Sequence, residues 1–237
     1  MSGHVFVAHS DITRLRCDAW LLPTDAFLQI TPAWLESAPP DRRGELASSA
    51  LRHRWGNRSS PRTLAIDPWY PALGSAPPPV PVLTDVGAWS GKKLDWYLDG
   101  VSEFVQTAGK ATRRSLSWRS KPLFAVPFVG SGAGGQSTQK GKLQRAILER
   151  LERESTANDV DLVLVLSNNA AFTAAQAVRR TTARWPFSES EKERLDALGS
   201  HASHGRLVLF IGAGLSRSAG LPLWSELLAG CGKRVLL

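Results

Sequence analysis

Hydrophobic and polar positions along the chain follow two alternating periods. Unbroken apolar runs, or runs of period two, occur at "HVFVAHS" (4–10), "DAWLLPT" (18–24), "VPVLTDV" (80–86), "PLFAVPFV" (122–129) and "VDLVLVLSN" (160–168). Such runs predict strands. A helix is expected between the second and third of them. In "KKLDWYLDGVSEFVQTAGKA" (92–111), Leu94, Leu98, Val101, Val105 and Ala108 fall on one face at helical spacing, which predicts an amphipathic helix lying against a sheet. "QKGKLQRAILERLERE" (139–154) carries Leu143, Ile147 and Leu151 on one stripe, and "AAFTAAQAVRRTTARW" (170–185) reads as a further helix. Strands alternating with helices predict an α/β sandwich on a largely parallel sheet. Residues 1–185 then form a domain of ordinary size.

Beyond Trp185 and Pro186 the pattern fades into "FSESEKERLDALGSHASHG" (187–205). This is expected to be a linker over 186–205, with a short helix in its middle. His201 and His204 lie in it, but an H-x-x-H without a third ligand nearby is ordinary polar sequence, and no metal is expected. From Arg206 a new apolar run, "RLVLFI", enters a Gly-rich loop and what reads as a helix, so 206–237 is a βα unit of its own.

Composition narrows this picture. Of 237 residues 43% are hydrophobic, with nine Trp and eight Phe, enough apolar material to exclude global disorder. Only Cys17 and Cys231 are present, which gives neither a disulfide framework nor paired metal-ligand spacing and points to the cytoplasm. The apolar runs are too short to span a bilayer, so no membrane partner is expected. The formal net charge of +8 favours polyanions, from phosphate-bearing small molecules to nucleic acid. Its densest stretch, "RRSLSWRSK" (113–121), reads better as a solvated helix end than as a nucleic-acid surface.

Two loops carry the candidate chemistry. "GSGAGG", Gly130, Ser131, Gly132, Ala133, Gly134 and Gly135, follows a strand and precedes a helix. Glycines there allow positive φ and let backbone N–H groups approach a phosphate, and the helix end adds a favourable field. The loop also fits G-x-G-x-x-G, with Asp159 and Asp161 as candidate ribose partners, although that fingerprint normally opens a sheet. The second loop is "GAGLSRSAGLPLW", from Gly212 to Trp224. Ser216 in it does not make a nucleophile elbow, since the pattern is G-x-S-x-S.

"HSDITRLRCDAWLLPTD" together with "VPFVGSGAGG" resembles the first motif and second Gly-rich loop of macrodomains, over about residues 4–184. The resemblance implies a three-layer α/β/α sandwich that binds ADP-ribose or a related NAD-derived nucleotide. Asp11 would accept from the adenine amino group, the Ile12 backbone would pair with the ring, and Ser131 to Gly135 would cradle the diphosphate and distal ribose. Asp25 stands where the family has an Asn beside that ribose, Ser10 replaces a Gly, "AFLQITPAW" replaces the first Gly-rich loop, and no Tyr or Phe stands at Ser167 or Asn168 for stacking on adenine. These departures favour a binding or sensing module over an ADP-ribosyl hydrolase, with a basic nucleic-acid-binding module as a further alternative. "GAGLSRSAGLPLW" resembles the NAD-binding signature of sirtuins, in particular the sirtuin-like domains of bacterial defence proteins. That implies a short βα remnant of a Rossmann-like domain in which Gly212, Ala213, Gly214 and Ser216 would contact NAD. The rest of such a domain, and its catalytic residues, would lie beyond Leu237.

Overall fold

A computed structural model of the chain describes residues 3–60, 62–69, 77–87, 93–112, 120–130, 140–182 and 187–208. Six strands form one sheet: β1 (Val5–His9), β2 (Ala19–Thr24), β3 (Thr63–Ala65), β4 (Val80–Asp85), β5 (Leu123–Pro127) and β6 (Asp161–Leu166), in the order β1-β6-β5-β2-β4-β3. Every pairing is parallel except that of the short edge strand β3 with β4. The five strands read from hydrophobic pattern are all present, and β3 joins them.

Period two sorts each strand between two cores. Ala19, Leu21, Val82, Phe124, Val126, Leu162 and Leu164 enter one apolar cluster, while Trp20, Leu22, Leu83, Ala125, Val163 and Val165 enter the other. The first cluster is closed by α4 (Leu94–Thr112), α5 (Lys140–Asn158) and α6 (Asn169–Thr182). Leu98, Val101, Val105 and Ala108 on α4, and Leu143, Ile147 and Leu151 on α5, are buried as their spacing predicts. The second cluster is closed by three short helices between β2 and β3: α1 (Pro32–Ser37), α2 (Pro40–Leu46) and α3 (Ser49–Gly56). Proline begins α1 and α2, where its missing N–H costs no helical bond, and the Ser48 hydroxyl caps α3 by accepting from the Leu51 N–H at 3.1 Å. Helices on both faces of the sheet make a three-layer α/β/α fold.

Two polar features fix the sheet. Asp18 is buried and accepts from the Leu123 N–H at 2.7 Å, which holds the start of β5 beside β2. At the other edge, Arg62 makes a 2.6 Å ion pair with Glu103 and lies 4.4 Å over the Trp96 ring, binding the β3 edge to α4. Ser60 and the Trp96 carbonyl take up further hydrogen-bonding capacity of this pair, as a charge pair only 11% and 22% exposed requires.

The β2–β5 ladder ends early. It contains Ala19–Phe124 and Trp20–Ala125, whereas β2 follows β4 as far as Asp85. From β2 the chain leaves into α1–α3 on one face, and from β5 toward α5 on the other. This reversal at adjacent carboxyl ends is a topological switch point, where open α/β sheets hold their ligands.

The chain divides into two compact units, Met1–Thr181 and Thr182–Leu237. In the second, the stretch expected as a linker contains a 15-residue helix, α7 (Glu189–Ser203), where a short one was expected. A capping box explains the extra length: the Ser188 side chain accepts from the Glu191 N–H while the Glu191 carboxylate accepts from the Ser188 N–H. Both bonds from Ser188 hold the Glu191 carboxyl below its ordinary value. The stabilisation is therefore present above the ordinary carboxylate range and is lost as pH falls through the depressed value. Far-ultraviolet circular dichroism of a peptide spanning 186–206 should show helicity that drops on acidification and is lower at neutral pH in Ser188→Ala; helicity flat with pH in the unsubstituted peptide would refute the capping account.

Candidate functional site

The carboxyl ends of β1, β5 and β6 open onto a cleft of about 1020 Å³ within the first unit. Its wall runs from His9 and Ser10 through the 3-10 turn Ile12–Arg14, then Pro127 and Phe128 after β5, and Leu166 to Asn168 after β6. Trp34 of α1, Lys140 and Gln144 of α5, and Ala171 of α6 complete it.

Asp11 caps the 3-10 turn. Its Oδ1 accepts from the Thr13 N–H at 2.9 Å and the Thr13 hydroxyl at 2.8 Å, while among the described residues Oδ2 has only a loose 3.9 Å approach from Arg14. One carboxylate oxygen is thus spent on the turn and the other remains an acceptor. The Ile12 N–H opens the turn and meets no partner among the described residues, as the first N–H of any helical turn does. An acceptor and a donor thus stand on consecutive residues of the cleft lining. They match the edge of a base that presents an amino group beside a ring nitrogen.

The floor and sides are fixed by long-range bonds. Gln144, 3% exposed, donates through Nε2 to the Ala171 carbonyl at 2.8 Å, locking α5 to α6. Asn168 caps α6, its Oδ1 accepting from the Ala170 and Ala171 N–H groups. His9 stacks on Phe172, centroids 5.8 Å apart and planes at 27°, and its Nε2 is 3.3 Å from the Ser167 carbonyl. Trp34 stacks on Trp20, which meets Trp69 edge-on. His9 and Trp34 are thus aromatic members of the cleft lining, where Ser167 and Asn168 are not. His9 gives no sign of this in sequence, since the Phe172 that orients it lies in the last helix of the sandwich.

Asp25 occupies a different setting. It is 5% exposed, and its Oδ1 accepts from the Phe27 N–H at 2.9 Å and the Gln29 N–H at 2.7 Å, forming a tight turn at the end of β2 in which Leu28 has φ 62°. Asp25 lies outside the cleft lining. It follows the last residue of β2 directly, and Gly130 lies three residues beyond β5. Gly130 has φ 76°, and a Cβ there would come within 2.9 Å of the buried Tyr97 ring, so glycine is required where the second loop begins. Ser131, Gly132, Ala133, Gly134 and Gly135 lie outside the described residues, as do Gly212, Ala213, Gly214 and Ser216 and most of the basic 113–121 stretch.

Charge regulation elsewhere serves the scaffold. Burial raises the Glu152 carboxyl above its ordinary value although Arg179 and His4 pull the other way, and burial lowers Arg179 despite Glu152. Glu152 lies on α5 and Arg179 on α6, and neither lines the cleft. Among the described residues no cluster of His, Cys, Asp or Glu is arranged to hold a metal ion, and no helix is long and apolar enough to cross a membrane.

The three layers match those of the macrodomain fold. Among solved structures, the chain is similar to the Oceanobacillus iheyensis macrodomain with ADP, at TM-score 0.54 and 15% identity over 74% of this chain and 89% of that one. It is also similar to a mutant of the same macrodomain with ADPR, at TM-score 0.52 and 12% identity over 75% of this chain and 91% of that one. At such identities the likeness shows the fold, and the sandwich expected from the sequence is borne out. No family model and no curated protein matches the sequence.

Proposed function

We propose that the first unit binds ADP-ribose or a closely related NAD-derived nucleotide in the cleft at the carboxyl ends of β1, β5 and β6. The observation that carries this reading is the open donor–acceptor pair at the cleft wall, Asp11 Oδ2 and the Ile12 N–H, beside a cavity of nucleotide size. Adenine takes its amino group to Asp11 and a ring nitrogen to Ile12, against the aromatic surface of His9. The diphosphate runs toward Gly130 and the loop to Gly135, whose backbone N–H groups and glycine freedom suit an anion. The similar structures bearing ADP and ADPR support the same assignment.

Binding is favoured over hydrolysis because the Asp25 carboxylate is committed to its turn and carries no amide donor for a distal ribose. The sequence of 206–237 supports a larger architecture, in which a nucleotide-sensing module precedes a sirtuin-like NAD-binding domain of the kind found in bacterial defence. Calorimetric titration with ADP-ribose, NAD and a short RNA separates the readings. One-to-one binding of ADP-ribose, with RNA weak and steeply salt-dependent, is expected; RNA binding without ADP-ribose binding would overturn the assignment.

A further inference from the structure

The cleft holds an aromatic surface that adenine does not use. Trp34 lines it from α1 and is half-buried. One face of the indole stacks on Trp20, centroids 5.9 Å apart and planes at 26°. Trp20 is buried and is itself braced edge-on by the buried Trp69, centroids 4.7 Å apart. Hydrogen bonds fasten α1 beneath the ring. The Trp34 N–H donates to the Thr31 carbonyl at 3.0 Å and the Ser37 hydroxyl donates to the Trp34 carbonyl at 2.7 Å, while the Arg43 guanidinium donates to the Glu36 and Ala38 carbonyls. The indole is therefore held in place before any ligand arrives, which lowers the entropic cost of stacking on it.

Trp34 stands apart from the adenine subsite. The Ser10 N–H donates to the Leu166 carbonyl at 3.1 Å, so His9 and the Asp11–Ile12 pair start from β1 and β6, whereas Trp34 rests on Trp20 of β2, with β5 between. Two to three inter-strand spacings are about 10–15 Å. One base cannot cover both His9 and Trp34 at that separation, which is the stretch that two riboses and a diphosphate put between terminal rings. A cleft of about 1020 Å³ has room for both rings. ADP-ribose carries a single aromatic ring and leaves Trp34 bare. An indole face attracts a planar ring, and the more so a ring that carries positive charge; oxidised nicotinamide is such a ring. Resting on the nucleotide-binding reading above, we infer that Trp34 is the platform for a second, cationic ring, and that the cleft selects intact oxidised NAD over ADP-ribose.

The test titrates the full chain with ADP-ribose, oxidised NAD and reduced NAD. Oxidised NAD should bind about tenfold more tightly than ADP-ribose, the effect of one stacked and charged ring, and reduced NAD, whose ring is neutral, should fall between them. The formal net charge of +8 favours the more anionic ADP-ribose, so this order runs against long-range attraction. Trp34→Leu should bring the ratio of the affinities for oxidised NAD and ADP-ribose to about one, and Trp34→Tyr, which keeps an aromatic face, should recover most of it. The parent protein's own preference decides the matter if Trp34→Leu fails to fold. ADP-ribose bound by the parent protein as tightly as oxidised NAD, or a preference for NAD that survives in Trp34→Leu, would overturn the second-ring subsite and leave the cleft assignment standing. Failure of all three nucleotides to bind would overturn the cleft assignment, and the subsite with it.

Discussion

Replacing Gly130 by alanine is expected to destabilise the first unit by about 2–5 kcal/mol, the sum of a left-handed backbone penalty and an overpacked contact. Gly130 has φ 76°, and its new Cβ would come within 2.9 Å of Tyr97 and 3.2 Å of Leu143. Neither neighbour has room to yield, because Tyr97 is 0% and Leu143 1% exposed at the heart of the larger core. The backbone at the start of the second loop must then shift, and ADP-ribose affinity should fall with stability. Denaturant unfolding checks the first effect as a lower midpoint at unchanged slope. An unchanged midpoint would show that the positive φ is incidental.

Asp25 separates structural from functional need. Asp25→Ala removes the acceptor of the Phe27 and Gln29 N–H groups, and should cost about 1–3 kcal/mol by the net worth of two part-buried hydrogen bonds. Asp25→Asn keeps an oxygen for both bonds, so stability should stay within about 0.5 kcal/mol of the parent protein. It removes a negative charge at the end of β2 and supplies an amide donor, so ADP-ribose should bind several-fold more tightly or show newly detectable turnover. Weaker binding in Asp25→Asn at unchanged stability would show that the carboxylate itself serves the ligand.

The parts of the fold legible in sequence are those set by long, regular patterns. Alternation in β2, β4, β5 and β6 sorts side chains between two cores, and the stripes on α4 and α5 are wide enough to declare a buried face. What the pattern hides is short or distant. β3 has three residues, too few to show a period. α1 to α3 have six to eight residues each, and only their Pro starts and the Ser48 cap signal them. The length of α7 was written in the S-x-x-E spacing of Ser188 and Glu191, a cap signal that outweighs the polar composition around it.

The site divides in the same way. Asp11 and Ile12 were singled out only by the resemblance of their motif, and the structure puts both in the cleft lining, on one 3-10 turn. The His9–Phe172 stack and the Gln144 bond to Ala171 join residues from different elements, which spacing alone cannot bring together. Asp25 was legible as a departure from the family motif, but its engagement in a turn depends on the backbone path of residues 25–29.

Calorimetric titration of ADP-ribose into the parent protein and into Asp11→Asn tests the central claim most directly. The asparagine oxygen retains the cap on Thr13, so the turn and the melting temperature are preserved, while an N–H₂ donor replaces the free Oδ2 and faces the adenine amino group. The parent protein should bind one ADP-ribose, and Asp11→Asn should bind about tenfold or more weakly, the cost of opposing two donors. Absence of binding by the parent protein, or equal affinity in the two at equal stability, would contradict the account.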